Sequence, residues 1–263
     1  MLNGHLSLPV WLAGLVFFLI SKQGRRYQAI GIAFLAVVGF LTLENGKAYY
    51  LSAAFPVILA GGGLLISEWL KKWQAHWLRP ALLAAFAVWG FIGMPMALPV
   101  LSPANLVHYQ NLMRFHGSQF EKSDIGAEIP TYFSNMIGWP ELVEAVAQAY
   151  QKIPPAQRNQ TAILANNYAQ AGAVDLLGLK YGLPKAISGH ENYWFWGPRA
   201  YTGEKIIGIG YSPEDAQRNC ARVEVAAIVD VPYAPDWING PIIICSDLKP
   251  TLQELWPNLQ RFH

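Results

Sequence analysis

Residues 44–63 read ENGKAYYLSAAFPVILAGGG. A charged pair, Glu44 and Lys47, and two tyrosines, Tyr49 and Tyr50, stand ahead of an apolar run that closes on small residues. A bilayer core asks about 20 apolar residues of a helix. The stretch therefore predicts a membrane-spanning helix over 49–69 with a polar mouth. Working outward, three more apolar stretches occupy 6–20, 27–43 and 80–101. The first is short and lacks the basic n-region of a signal peptide, so it too reads as a membrane helix, clipped at its outer end. Four such runs in succession weigh against the alternative, a buried helical core. The expected fold is an α-helical membrane bundle of about four transmembrane helices over 1–101, followed by a different kind of domain over 102–263.

Composition points the same way. The hydrophobic fraction is 53% and the charged fraction 14%, against roughly 45–50% and 25% in average soluble domains. The only acids before residue 102 are Glu44 and Glu68. Lys22, Arg25 and Arg26 lie between the first two stretches, and Lys71, Lys72 and Arg79 between the last two. Positive loops prefer the cytoplasm. The Glu44–Tyr50 mouth and everything after Leu101 are thus expected outside, in a multi-pass protein of a bacterial cytoplasmic membrane. The outer part is slightly acidic and offers no basic stripe to follow a phosphate backbone, which argues against a nucleic-acid partner. Its two cysteines, Cys220 and Cys245, allow one pairing. They are either an extracytoplasmic disulfide or two buried thiols.

Within 102–263 helical and strand signals alternate. Pro140 suits the first turn of a helix carrying Leu142, Val143, Val146, Ala149 and Tyr150 at helical spacing. Thr161–Ala165, Lys185–Ser188, Lys205–Gly210, Val223–Val229 and Pro241–Cys245 read as strands, with a helix over 167–178. Ser212 and Thr251 read as helix caps. This pattern predicts an extracytoplasmic three-layer α/β domain with a mainly parallel sheet. Ligands of such sheets bind beyond the carboxyl ends of the strands. Two segments are placed there: Ala165–Gly172, with Asn166, Asn167 and Tyr168, and Ser188–Pro198, with His190, Tyr193, Trp194, Phe195 and Trp196. The aromatic run suits three roles: stacking on a sugar or acceptor, docking on a membrane or membrane domain, or packing the core.

Other chemistries are weakly supported. Ile207–Gly210 opens like a dinucleotide fingerprint, but Pro213 stands where its third glycine belongs. There is no phosphate-binding P-loop and no G-x-S-x-G elbow. The six histidines lack metal-ligand spacing, so neither metal nor cofactor is expected. His190 beside Glu191 fits acid–base work, though a loop histidine bonded to backbone is the commoner state. At the mouth, Lys47 could supply a point charge to a lipid phosphate, with Tyr49 and Tyr50 donating hydrogen bonds at headgroup depth. Ordinary interfacial anchoring uses the same residue types.

Order and spacing add a resemblance. Gly46-Lys47-Ala48-Tyr49-Tyr50-Leu51, then Phe55-Pro56 and Ala60–Gly63, resemble a late transmembrane segment of bacterial protein-mannosyltransferase-like enzymes. These form glycosyltransferase family 39, with the C-type integral-membrane fold. Leu8–Leu15, Phe133–Trp139, Asn166–Asp175, Tyr181–Pro184, Ser188–His190, Tyr193–Pro198 and Leu255–Pro257 look like the same family in the same order. The resemblance implies transfer of a sugar from a polyprenyl-phosphate donor to an acceptor, here unknown, on the outer membrane face. It assigns Lys47, Tyr49 and Tyr50 to the donor's lipid phosphate. Asn166, Asn167, Tyr168, His190, Tyr193, Trp194 and Trp196 become candidates for acceptor contact or domain docking. The family's acidic base belongs to a loop far upstream that has no counterpart here, so no catalytic residue is carried over. The expectation is a C-terminal portion, inactive alone, from a truncated or split gene or a misplaced start codon, with a separately encoded catalytic half as one candidate partner. A membrane-anchored binding or partner-subunit protein without catalysis is the alternative.

Overall fold

The computed structural model describes residues 4–44, 46, 48–114 and 127–262. The chain forms two compact units, Met1–Thr131 and Tyr132–His263. The expected division at 101/102 falls inside the first unit, where the Tyr109 hydroxyl of α5 (Pro103–Leu112) donates to the Ile92 carbonyl at 2.6 Å.

The helical unit contains α1 (Gly4–Leu19), α2 (Gln28–Leu43), α3 (Phe55–Lys72) and α4 (Leu78–Ala97) besides α5. Four transmembrane helices were expected. Among the described residues two stretches, Arg25–Leu43 and Leu78–Ala97, are long and apolar enough to cross a membrane, by length and composition. The apolar part of α1, Ser7–Leu19, is too short. The third expected span is cut at both ends. Ala48–Leu51 forms a 3-10 turn, Pro56 occupies the first turn of α3, and Glu68, Lys71 and Lys72 fall inside its last turns. Composition alone concealed that Pro56 starts a helix rather than continuing one.

Glycines bring α1 and α3 together. A Cβ on Gly14 would lie 2.0 Å from the Ile58 carbonyl oxygen, and one on Gly62 would lie 1.9 Å from that of Val10. Small residues let helix backbones approach closely. Phe17, Phe18, Phe34, Ile58 and Leu65 close around this contact, with Phe17 and Phe18 edge to face at 5.2 Å.

The second unit begins at the one-turn α6 (Thr131–Ser134), whose first residue is the last of the helical unit. It continues through α7 (Trp139–Gln151), α8 (Pro155–Arg158), β1 (Thr161–Ala165), α9 (Tyr168–Leu177), β2 (Ile187–Ser188), α10 (Asn192–Phe195), β3 (Lys205–Ile209), α11 (Pro213–Ala216), β4 (Cys220–Val229), β5 (Gly240–Leu248) and α12 (Leu252–Leu255). Strand order is β2-β1-β3-β5-β4. β1 pairs in parallel with β2 and β3, whereas β5 is antiparallel to β3 and to β4. The sheet is mixed: β2, β1, β3 and β4 run in one direction and β5 alone is reversed, since β3 and β4 are both antiparallel to it. Residues 210–219 carry the chain from β3 past β5 to β4, and residues 230–239 bring it back to β5 between them.

Both faces of the sheet are covered, as a three-layer arrangement requires. Ile163, Ala165, Ile207 and Ile209 face Leu142, Val146, Ala171 and Val174 of α7 and α9. The alternate residues Ala162, Leu164 and Ile206 face Leu252 of α12 and Trp256. This is the period of two expected of a strand buried on both sides. Cys220 and Cys245 are joined as a disulfide linking β4 to β5, with Cα atoms 5.6 Å apart. The two cysteines are 25 residues apart in sequence, and in the chain-entropy account closing a loop of that length is worth about 3.5 kcal/mol.

The glycine run makes a sharp prediction. Gly62→Leu drives a side chain into the Val10 backbone, whereas Gly63, with nothing within 4 Å of its Cβ position, tolerates the same change. Overpacking of this kind costs about 1–3 kcal/mol. Thermal unfolding of the full chain in lipid nanodiscs is expected to shift down for Gly62→Leu and to stay put for Gly63→Leu.

Candidate functional site: a cleft at the carboxyl ends of β1 and β3

β1 and β3 are parallel neighbours whose chains leave in opposite lateral directions. From β1 the chain passes through α9 to β2 at one edge of the sheet, and from β3 it passes through α11 to β4 at the other. Such a switch point leaves a crevice beyond the strand ends. A cleft of about 420 Å³ opens there, lined among others by Asn166, Tyr211, Asp236, Trp237, Asn239 and Gly240. The antiparallel β5 starts at the same end, because Ile242 pairs with Ile209.

The walls are set by short-range geometry. The Asn166 amide donates to the Ile209 carbonyl at 2.9 Å and continues the β1/β3 pairing by one residue. Gly210 has φ 76°, and a Cβ there would lie 2.9 Å from both Asn166 Cβ and Gln170 Nε2. Both facts demand glycine. Asn167 and Gln170 form a reciprocal capping box at the start of α9. Buried Gln170 also donates from Nε2 to the Trp237 carbonyl at 2.6 Å. Asn239 accepts from the Val231 amide at 2.9 Å and donates back to the Val231 carbonyl at 3.2 Å. The 230–239 connection is thereby fixed against α9.

The C-terminal segment straps the two sequence-predicted segments together. The Arg261 amide donates to the Gly189 carbonyl at 2.9 Å, and the Glu191 amide donates to the Arg261 carbonyl at 2.8 Å. Gly189 is needed for this approach, since a Cβ would lie 2.1 Å from the Leu259 carbonyl oxygen. The Arg261 guanidinium donates to both the backbone and the side-chain oxygen of Asn166. His190 accepts at Nδ1 from the Tyr168 amide at 3.4 Å, and the two rings lie 5.2 Å apart. Asn166, Tyr168 and His190 are thus brought together. Asn167 serves as the helix cap.

The aromatic run divides its labour. The Tyr193 hydroxyl donates to Asp175 at 3.2 Å, and Asp175 also accepts from the Ala186 amide at 2.7 Å. Burial, then the Asp175 carboxylate, push the Tyr193 pKa up to about 12. Trp194 and Trp256 exchange indole-to-carbonyl hydrogen bonds of 3.1 and 3.0 Å. Tyr193 and Trp194 thus pack, partly buried, against the two cores. Phe195 and Trp196 remain 65% and 60% exposed, and Phe262 lies 6.0 Å from Phe195. At the mouth of the helical unit, Tyr49 and Tyr50 are exposed and meet edge to face at 4.8 Å. Lys47 lies outside the described residues.

Tyr211, Asp236, Trp237 and Arg261 were missed by sequence reasoning. Gly210-Tyr211-Ser212 was read only as a turn and a cap. A spacing that revealed the antiparallel return of β5 would have placed 236–239 beside it. No protein-family model, curated protein or solved structure matches the chain.

The tyrosines give this unit a pH signature. Burial raises Tyr211 to about 12 as well, against an ordinary phenol value of 10.0. The folded state keeps these protons where the unfolded chain loses them. Their contribution is complete below pH 10 and declines as pH rises toward 12. Denaturant unfolding followed by circular dichroism is expected to show stability falling across that window. Tyr193→Phe and Tyr211→Phe should each flatten the slope.

Proposed function

We propose that the chain acts in a membrane-bound glycosyl-transfer system of the protein-mannosyltransferase-like type. In this reading it belongs to a bacterial cytoplasmic membrane and crosses it several times, with the α/β unit on the outer face. Lys47, Tyr49 and Tyr50 hold the phosphate of a polyprenyl-linked sugar donor, and the outer unit meets the acceptor. The observation that carries the proposal is convergence. Asn166–Asp175 and Ser188–His190, separate in sequence and both part of the resemblance, meet at one end of the sheet beside a cleft. Two helices of membrane-crossing length and a disulfide, which persists in oxidising compartments, support the membrane and outer-face assignments. No carboxylate of the chain is assigned as general base. Sugar transfer needs a positioned one, and Glu44 matches no family motif. A second reading, a membrane-anchored binding module, is favoured by the cleft itself, which is built entirely within the outer unit.

Donor binding separates the two readings. In nanodiscs, polyprenyl phosphate bound by the full chain is expected to be lost roughly tenfold or more on Lys47→Ala, as for removal of a charge-assisted contact. Lys72→Ala, at the far end of α3, should change it little. Equal effects of the two substitutions, or no binding at all, would shift the assignment to the binding module.

A further inference from the structure

We infer that the cleft at the carboxyl ends of β1 and β3 binds a neutral pyranose, seated against Trp237 and hydrogen-bonded by Asn166, Tyr211 and Asp236. The inference starts from which polar groups the fold leaves unused. Gln170, Ser212 and Asn239 also line the cleft, but their side chains are engaged with Asn167 and Trp237, with Asp215, and with Val231. The Asp236 carboxylate is exposed and makes no hydrogen bond or ion pair among the described residues. The Tyr211 hydroxyl likewise has no hydrogen-bond partner among them, and it is not sealed from solvent, so it is open to a hydroxyl of a ligand. Arg261 occupies the Asn166 side-chain oxygen, which orients the amide and leaves its nitrogen as a donor.

What remains is a donor amide, a phenol and a single carboxylate around a half-buried indole that leans on Trp139 at 5.1 Å. Adjacent hydroxyls of a sugar both donate and accept, and this set answers both. The flat C–H face of a pyranose suits an indole. The Asp236 carboxylate is offset by the Arg261 guanidinium held on Asn166, so the wall has no net charge to select an ion over a neutral ligand. The volume, about 420 Å³, falls within the range of small-molecule sites. The wall is also fixed in advance, since Gly210, Gln170 and Asn239 hold it without any ligand.

That this sugar is the acceptor end rests on the glycosyl-transfer reading; that it binds does not, and the two are measured apart. The experiment uses the full chain in nanodiscs, free of sugar-headed detergent. Saturation-transfer NMR and calorimetry are run with methyl α-mannoside, methyl β-galactoside and N-acetylglucosamine, with inorganic phosphate and choline as comparators. At least one pyranose should bind saturably. Asp236→Ala should weaken it fivefold or more and Tyr211→Phe severalfold, while Glu224→Ala, on the exposed face of β4, leaves it unchanged. Circular dichroism confirms that each variant is folded. The inference is overturned if no pyranose saturates, if phosphate or choline binds in its place, or if both cleft variants bind like the parent. Pyranose binding without polyprenyl-phosphate binding keeps this inference and removes the transfer reading. The reverse pattern removes the inference alone.

Discussion

The parallel pairing of β1 with β3 is the constraint on which the α/β unit depends. Five residues of each strand are in register, from Thr161 opposite Lys205 to Ala165 opposite Ile209. Each strand is apolar on both faces, so the pair can exist only between two helical layers. The chain leaves the two strands in opposite directions, and the pairing therefore ends in a gap. The Asn166 amide makes the last bond across it. Gly210, Gln170 and the 230–239 connection shape what is left.

Arg261 turns that gap into a site with defined neighbours. Its backbone joins the strand-like segment after β2, and its guanidinium holds Asn166. One residue near the C-terminus thus links three segments that sequence distance keeps apart. The same strap carries Phe262 to Phe195 and leaves Phe195 and Trp196 exposed. Tyr193 and Trp194, by contrast, are spent on the two cores.

Much of the α/β unit was legible in sequence because its signals are local. Pro140, the Asn167–Gln170 and Thr251–Glu254 capping boxes and the apolar runs of β1 and β3 each state their structure within a few residues. The reversal of β5 was not legible in that way, since it depends on which strands pair. The site was half legible. Asn166 and His190 lie next to strand ends, whereas Asp236 and Trp237 reach the cleft only through the antiparallel return of β5. The helical unit shows the converse error. Hydropathy suggested about four spans, the first of them short, but Pro56 and the Glu68–Lys72 charges also shorten the third. The glycine run proved to serve helix contact, with Gly62 against Val10.

The central claim is that the β1/β3 cleft exists before any ligand arrives. Hydrogen exchange of the full chain, read amide by amide without ligand, tests it most directly. Asn166 is expected to exchange as slowly as the interior amides of β1, because its bond to Ile209 is part of the same pairing. Exchange of Asn166 at the rate of an open loop, while β1 stays protected, would mean that the cleft wall is not preformed and would contradict the account.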